Sequence, residues 1–228
     1  MSALDLVDAT IADLEGRLNL KPGEAINPAV VEATNGDKNQ KEPKKKTKNQ
    51  PPPSKKATAN TDQPDICKLE FKVGVITKVW VHPEADKLYC EEIDVGEAQP
   101  RQIASGLRPH FTEAQMLGQK LLVVSNLKAK NLVGFKSHGM VLCAADGSDK
   151  VEFVEPPKGA LIGEVVTFQG LPPPEPFSPA QVDKKKVWQA ACQGLTTTAD
   201  KQAAWNGHVF LTSAGPCTTK TIAKGVLR

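Results

Sequence analysis

Leu69, Phe71, Val73, Val75, Val79 and Val81 all fall on odd positions, while Glu70, Lys72, Lys78 and His82 fall on even ones. Alternation sustained over this length gives an extended strand one apolar and one polar face. Thirteen residues at about 3.3 Å each reach roughly 43 Å, too long to stay straight in a small barrel. Gly74 is where the strand can bend, so that it serves both halves of a closed sheet. His82-Pro83 ends it.

A second strand is predicted over Leu88 to Val95 and a third over Arg101 to Ala104, stopped by Gly96 and Gly106. Thr112-Glu113-Ala114-Gln115 is a capping box for one or two helical turns, with Gly118 as the stop. Lys120 to Ser125 is a continuous apolar run, as expected of a strand buried on both faces. Ser137 to Ala145 supplies the fifth strand. The expected class is mostly β. Three strands, a helix and two further strands make the five-stranded Greek-key barrel known as the OB-fold.

The flanks differ in kind. Residues 1–37 hold two basic against seven acidic residues, and residues 38–60 hold eight lysines against Glu42 alone. The remainder is nearly neutral, and the whole chain of 228 residues carries +3. Leu4, Val7, Ile11, Leu14 and Leu18 recur at helical spacing, and Ser2 with Asp5 fits an N-terminal cap. So short a helix is marginal alone: it frays, or it folds against a partner. From Thr34 to Asp65 lysine, proline, asparagine and threonine dominate, so a disordered linker is expected.

Past Asp146 the pattern predicts strands at Val151–Phe153, Val165–Phe168, Val209–Leu211 and Thr219–Ile222. One helix is predicted over residues 179–193, with Ser178 as N-cap and Pro179 in the first turn. Its apolar face is Val187, Trp188, Ala191, Cys192 and Leu195. The expected organisation is an acidic head with a short amphipathic helix (1–37), a basic linker (38–66), the barrel (67–170) and a small α+β extension (171–228). So small an extension is expected to pack on the barrel.

The five cysteines are widely spaced and form no CxxC, which argues against a disulfide scaffold or a zinc site and for reduced thiols in the cytoplasm. No apolar run approaches the roughly 18 residues of a membrane span. His82, Glu84 and Asp86 make a turn as readily as a metal site, and no phosphate loop or GxSxG is present. The expectation is no metal, no cofactor and no catalysis. Aromatic residues are only 5% of the chain, with Trp80 the one obvious stacking platform. Scarce stacking favours folded RNA, held by shape and phosphates, over single strands.

Five motifs then occur in order: His82-Pro83-Glu84-Ala85-Asp86-Lys87-Leu88, Ile93-Asp94-Val95-Gly96, Ser105-Gly106-Leu107, Asn126-Leu127-Lys128, and Gly134 to Met140. Together they resemble the tRNA-binding domain of proteins auxiliary to aminoacyl-tRNA synthetases. Pro156-Pro157-Lys158-Gly159, Lys184-Lys185-Lys186-Val187-Trp188 and Gly207-His208-Val209-Phe210 resemble the C-terminal extension of endothelial monocyte-activating polypeptide. That extension is also found on eukaryotic tyrosyl-tRNA synthetases. The resemblance covers Leu69 to Arg228, 160 of 228 residues.

The resemblance implies a tRNA-binding partner of a synthetase, and a monomer whose extension occupies the surface used for dimerisation in bacterial relatives; the N-terminal helix, marginal alone, is the expected docking element. It also places the Ser137–Met140 segment at the RNA surface. Asn126 can hydrogen-bond phosphate or backbone at the barrel's mouth, or merely shape its turn, and Met140 reads equally well as core. Lys128 and Lys130 set two cations beside Asn126, and Lys78, Lys87, Arg101 and Lys136 are the other candidate phosphate contacts. The alternatives are a scaffold or chaperone role and a secreted cytokine-like fragment. The segment Lys72 to Lys78 departs from the family's arginine-led cytokine heptapeptide, so that activity is not carried over.

Overall fold

The computed structural model describes residues 62–228. The predicted N-terminal helix, the acidic head and the linker as far as Thr61 lie outside the described residues. Packing begins ahead of Leu69. Gln63 donates from Nε2 to the Glu175 carbonyl at 2.6 Å, and Ile66 and Cys67, in a 3-10 turn over Asp65–Lys68, are fully buried.

The barrel sheet contains β1 (Phe71–Val81), β2 (Tyr89–Asp94), β3 (Arg101–Ser105), β4 (Lys120–Val124) and β7 (Met140–Val141), in the antiparallel order β3-β2-β1-β4-β7. Between β3 and β4 lies α1 (Glu113–Met116), whose capping box joins Thr112 and Gln115 as expected. Between β4 and β7 a separate hairpin, β5 (Lys130–Leu132) and β6 (Phe135–Ser137), pairs only with itself. The alternation in β1 does not persist. Its pairing with β2 slips between Ile76 and Lys78, a bulge that turns Ile76 inward and leaves Val75 half-buried. Gly74 faces the barrel interior, where a Cβ would stand 2.9 Å from the Ile93 Cγ2 methyl.

The predicted fifth strand is split at Leu142, because its two halves belong to different sheets. β7 completes the barrel, and β8 (Cys143–Ala145) enters a second sheet with β9 (Val151–Phe153), β10 (Thr167–Phe168), β11 (Leu195–Thr197), β12 (Ala203–Trp205), β13 (His208–Thr212), β14 (Gly215–Pro216) and β15 (Val226–Leu227). The single helix expected over 179–193 is two, α2 (Pro179–Lys184) and α3 (Val187–Cys192), broken where Lys186 takes a left-handed φ of 52°. Thr219–Ile222 is not a strand. Its backbone is satisfied by the buried Glu152 carboxylate, which accepts from Thr221 N at 2.8 Å and Ile222 N at 3.1 Å.

Two cores result. Ile76, Tyr89, Ile93, Ile103, Leu121, Val123 and Phe153 fill the barrel. Phe71, Val73, Leu122, Val124 and Leu142, on its outer side, pack with Phe168, Phe177, Val187, Leu195 and Phe210. The apolar run of β4 is thus divided residue by residue between inside and outside, as a strand buried on both faces requires. The extension shares its core with the barrel, in keeping with its small size. Cys67, Cys90, Cys143 and Cys217 are buried and all five cysteines are free; burial pushes the Cys217 thiol up to about 12.

Candidate nucleic-acid interface

The β5–β6 hairpin closes through a two-residue turn at Val133 (φ 49°) and Gly134 (φ 84°), both left-handed. Such a turn matches the twist of a hairpin, but a β-branched residue fits it poorly. Asn131 compensates by accepting from Gly134 N at 2.8 Å through Oδ1. Cross-strand pairing puts Lys130 and Ser137 on one face of the hairpin and Asn131 and Lys136 on the other. The first face also carries Leu132 and Phe135 and lies over the outer side of the barrel, where Phe135 meets Trp80 edge-on at 6.0 Å. Trp80 is therefore not the open platform expected of it. It is half-buried, with the Lys78 ammonium 5.0 Å from the ring centre.

Three candidates turn out to be structural ties. Asn126 is buried: Oδ1 accepts from Glu70 N at 2.8 Å, and Nδ2 donates to the carbonyls of Lys68 (2.9 Å) and Phe177 (3.0 Å). It locks the approach to β1, the end of β4 and the approach to α2 together, with no amide hydrogen left for a phosphate. Ser137 is buried too, its Oγ accepting from Ala104 N at 3.1 Å and donating to the Gly139 carbonyl at 3.1 Å. Arg101 grips the Glu97 carboxylate through Nε (2.8 Å) and Nη2 (2.7 Å), and Nη1 donates to the carbonyls of Ser125 and His138. The Arg101 hydrogen bond holds the Glu97 carboxyl down at about 2, so the pair is nearly neutral to an incoming phosphate.

Asn126→Ala should then cost stability and not RNA contacts. Three buried or part-buried backbone groups lose their partner, on the order of 3 kcal/mol together. A fall in melting temperature of roughly 10 °C is expected by scanning fluorimetry. An unchanged melting temperature with weakened RNA binding would return Asn126 to the interface.

The remaining cations are available. Lys87, Lys130 and Lys136 are exposed and make no ion pair among the described residues. Lys78 faces Glu92 at 3.6 Å and Lys128 meets Asp183 at 2.9 Å, pairs too exposed to hold either lysine firmly. Lys128, Lys130, Ser137 and Met140 line one cleft, and Arg101, Lys128, Gln102 and His138 line the groove beside it. Lys78 and Lys87 line neither. Met140 is half-buried, packed against the outer core and lining the cleft. The far wall of the cleft is Val182, Asp183, Trp188 and Gln189 of α2 and α3, residues not proposed as contacts from the sequence. Of the four only Trp188 lies in the Lys184-Lys185-Lys186-Val187-Trp188 motif, and nothing in the sequence marks the helix break at Lys186 that separates it from Val182 and Asp183. His82, Glu84 and Asp86 form a turn, in which Glu84 N donates to His82 Nδ1 at 3.1 Å. Among the described residues no cluster is arranged for a metal ion, and no helix is long and apolar enough to cross a membrane.

The family described as "Putative tRNA binding domain" matches residues 71–165. The solved C-terminal domain of Plasmodium vivax p43 superposes with a TM-score of 0.65 at 34% identity, covering 72% of this chain and 98% of that one. The chain belongs to the tRNA-binding domain family. The same family resemblance extends to a cytoplasmic methionine–tRNA ligase of Arabidopsis thaliana, 41% identical over 167 residues, covering 72% of this chain and 20% of the ligase. The mouse aminoacyl tRNA synthase complex-interacting multifunctional protein 1 is 36% identical over 177 residues, covering 75% of this chain and 56% of the mouse protein. The chain thus spans about a fifth to just over half of the length of these relatives. Both alignments, over 177 and 167 residues, are longer than the stretch 71–165 matched by the family.

Proposed function

We propose that this chain is a non-catalytic, cytoplasmic tRNA-binding protein that concentrates tRNA for an aminoacyl-tRNA synthetase, recognising folded tRNA with little sequence preference. One observation carries the reading: a hairpin whose strands pair only with each other presents Lys130 and Lys136, exposed and without an ion pair among the described residues, beside the loosely held Lys128. Phosphate contacts of this kind position an RNA without reading its bases. Membership of the tRNA-binding domain family supplies the class of RNA. The lysine-rich segment 38–60 adds phosphate affinity without shape selectivity, and the N-terminal helix docks on the synthetase. The protein acts as a monomer, since the outer face of the barrel is already covered by its own extension.

Replacing Lys130 and Lys136 together with Ala tests this. Two lost phosphate contacts should weaken tRNA binding severalfold and reduce the slope of log affinity against log salt by about 1.5. Melting temperature should not move, because neither ammonium is engaged in the fold. Unchanged affinity and slope would overturn the assignment of the hairpin as the RNA surface.

A further inference from the structure

The cleft between the β5–β6 hairpin and the helix pair α2–α3 has a volume of about 240 Å³. That is below the roughly 300–1,000 Å³ of pockets that enclose drug-sized molecules, and suits a single ring system. Its apolar walls are Leu127, Leu132, Met140, Val182 and Trp188, a surface that suits a ring better than a bare phosphate or a sugar. Its rim is cationic on the barrel side, with Lys128 and Lys130. On the helix side the rim is Asp183, which faces Lys128, and Gln189. Apolar walls with cations along one rim fit a flat ring carried on an anionic backbone.

Trp188 decides the matter further. It packs in part against the outer core and also forms the wall of the cleft. The other extension tryptophan, Trp205, donates its Nε1 hydrogen to the Ala191 carbonyl at 3.0 Å, whereas the indole hydrogen of Trp188 has no partner among the described residues. The mouth is crossed by the Lys128–Asp183 pair, 2.9 Å long with both side chains more than half exposed (65% and 54%). Such a pair contributes little and gives way to a phosphate that competes for Lys128.

We propose that this cleft takes one unstacked nucleobase of the bound RNA, stacked on Trp188, with the flanking phosphates held by Lys128 and Lys130. The inference rests on the tRNA-binding reading above. It makes the extension a direct RNA contact and not only a cover for the barrel. Gln189, with both donor and acceptor atoms at the rim, faces the base edge without demanding one base.

The experiment uses the full chain with Trp80 and Trp205 replaced by Phe, so that Trp188 is the sole fluorophore of the three tryptophans, its fold checked by circular dichroism. Titration with bulk tRNA should quench Trp188 emission in step with binding measured independently by filter retention. In the otherwise unaltered chain, Trp188→Leu should weaken tRNA binding about tenfold, within the range for loss of one base–aromatic stack. Binding of tRNA with Trp188 emission unmoved and the Leu variant unimpaired would overturn the pocket while leaving the tRNA function intact. Absence of tRNA binding would overturn both. Emission that shifts with protein concentration before RNA is added would put a second copy of the chain in the cleft and overturn the proposal.

Discussion

Glu91→Met is expected to raise the melting temperature at pH 7 to 8 and to change it little near pH 4.5. Glu91 shares the inward face of β2 with Tyr89 and Ile93, and it is fully buried. Only the Ser105 hydroxyl donates to it, at Oε1, and Oε2 has no partner among the described residues. Desolvation outweighs that hydrogen bond and pushes its pKa up to about 8, against 4.5 for a free glutamate. Below 4.5 both folded and unfolded chains bind the proton and nothing is gained or lost. Between 4.5 and 8 the unfolded chain releases it and the folded chain does not, so stability falls as pH rises. At pH 7 the penalty is on the order of 3 kcal/mol. An unbranched apolar side chain removes the penalty and keeps the volume. Glu97, held at about 2 by Arg101, acts in the opposite sense, and its stabilisation is lost only as pH falls below 4.5. Melting curves for both proteins from pH 4.5 to 8 check this. Wild-type and variant curves that fall in parallel would show that Glu91 is not the titrating group.

Removal of everything after Leu171 is expected to abolish the folded monomer. The cut uncovers Phe71, Val73, Leu122, Val124 and Leu142, all fully buried against the extension. Five such side chains at about 1.5–3 kcal/mol each amount to roughly 10 kcal/mol, comparable to the whole stability of an ordinary domain. β8 also loses its neighbour β15 and gains an open edge. Light scattering of the truncated protein should show dimers or aggregates, and circular dichroism a lost or broadened transition. A monodisperse monomer melting like the full chain would contradict the account of one shared core.

How far the sequence could be read varied with how local the cause was. The capping box at Thr112 and the N-cap at Ser178 each lie within three residues, and both form as expected. The two-faced burial of β4 was equally visible, because an unbroken apolar run has few other uses. The β5–β6 hairpin was not, since a turn through Val133 runs against the preferences that mark hairpins. The β11–β12 hairpin escaped for a similar reason, with Lys201 at a left-handed φ of 63° in its connection.

At the site the divide was sharper. Lysines 128, 130 and 136 could be proposed from charge and position, because a long cation on a loop remains exposed in almost any fold. Asn126, Ser137 and Arg101 looked the same in the sequence, yet their polar atoms are spent on backbone groups or on Glu97. Asn126 bonds across 58 residues to Lys68 and across 51 to Phe177, distances over which no local pattern carries information. The sequence by itself determined the barrel's strand order, its caps and its cationic loop, since each follows from neighbours along the chain. Only the tertiary structure decided which polar side chains face solvent, that Glu91 is sealed in the barrel, and that Trp188 meets the hairpin across a cleft. Those depend on which segments pack together, and hydrogen bonds and desolvation are set by that packing and not by sequence spacing.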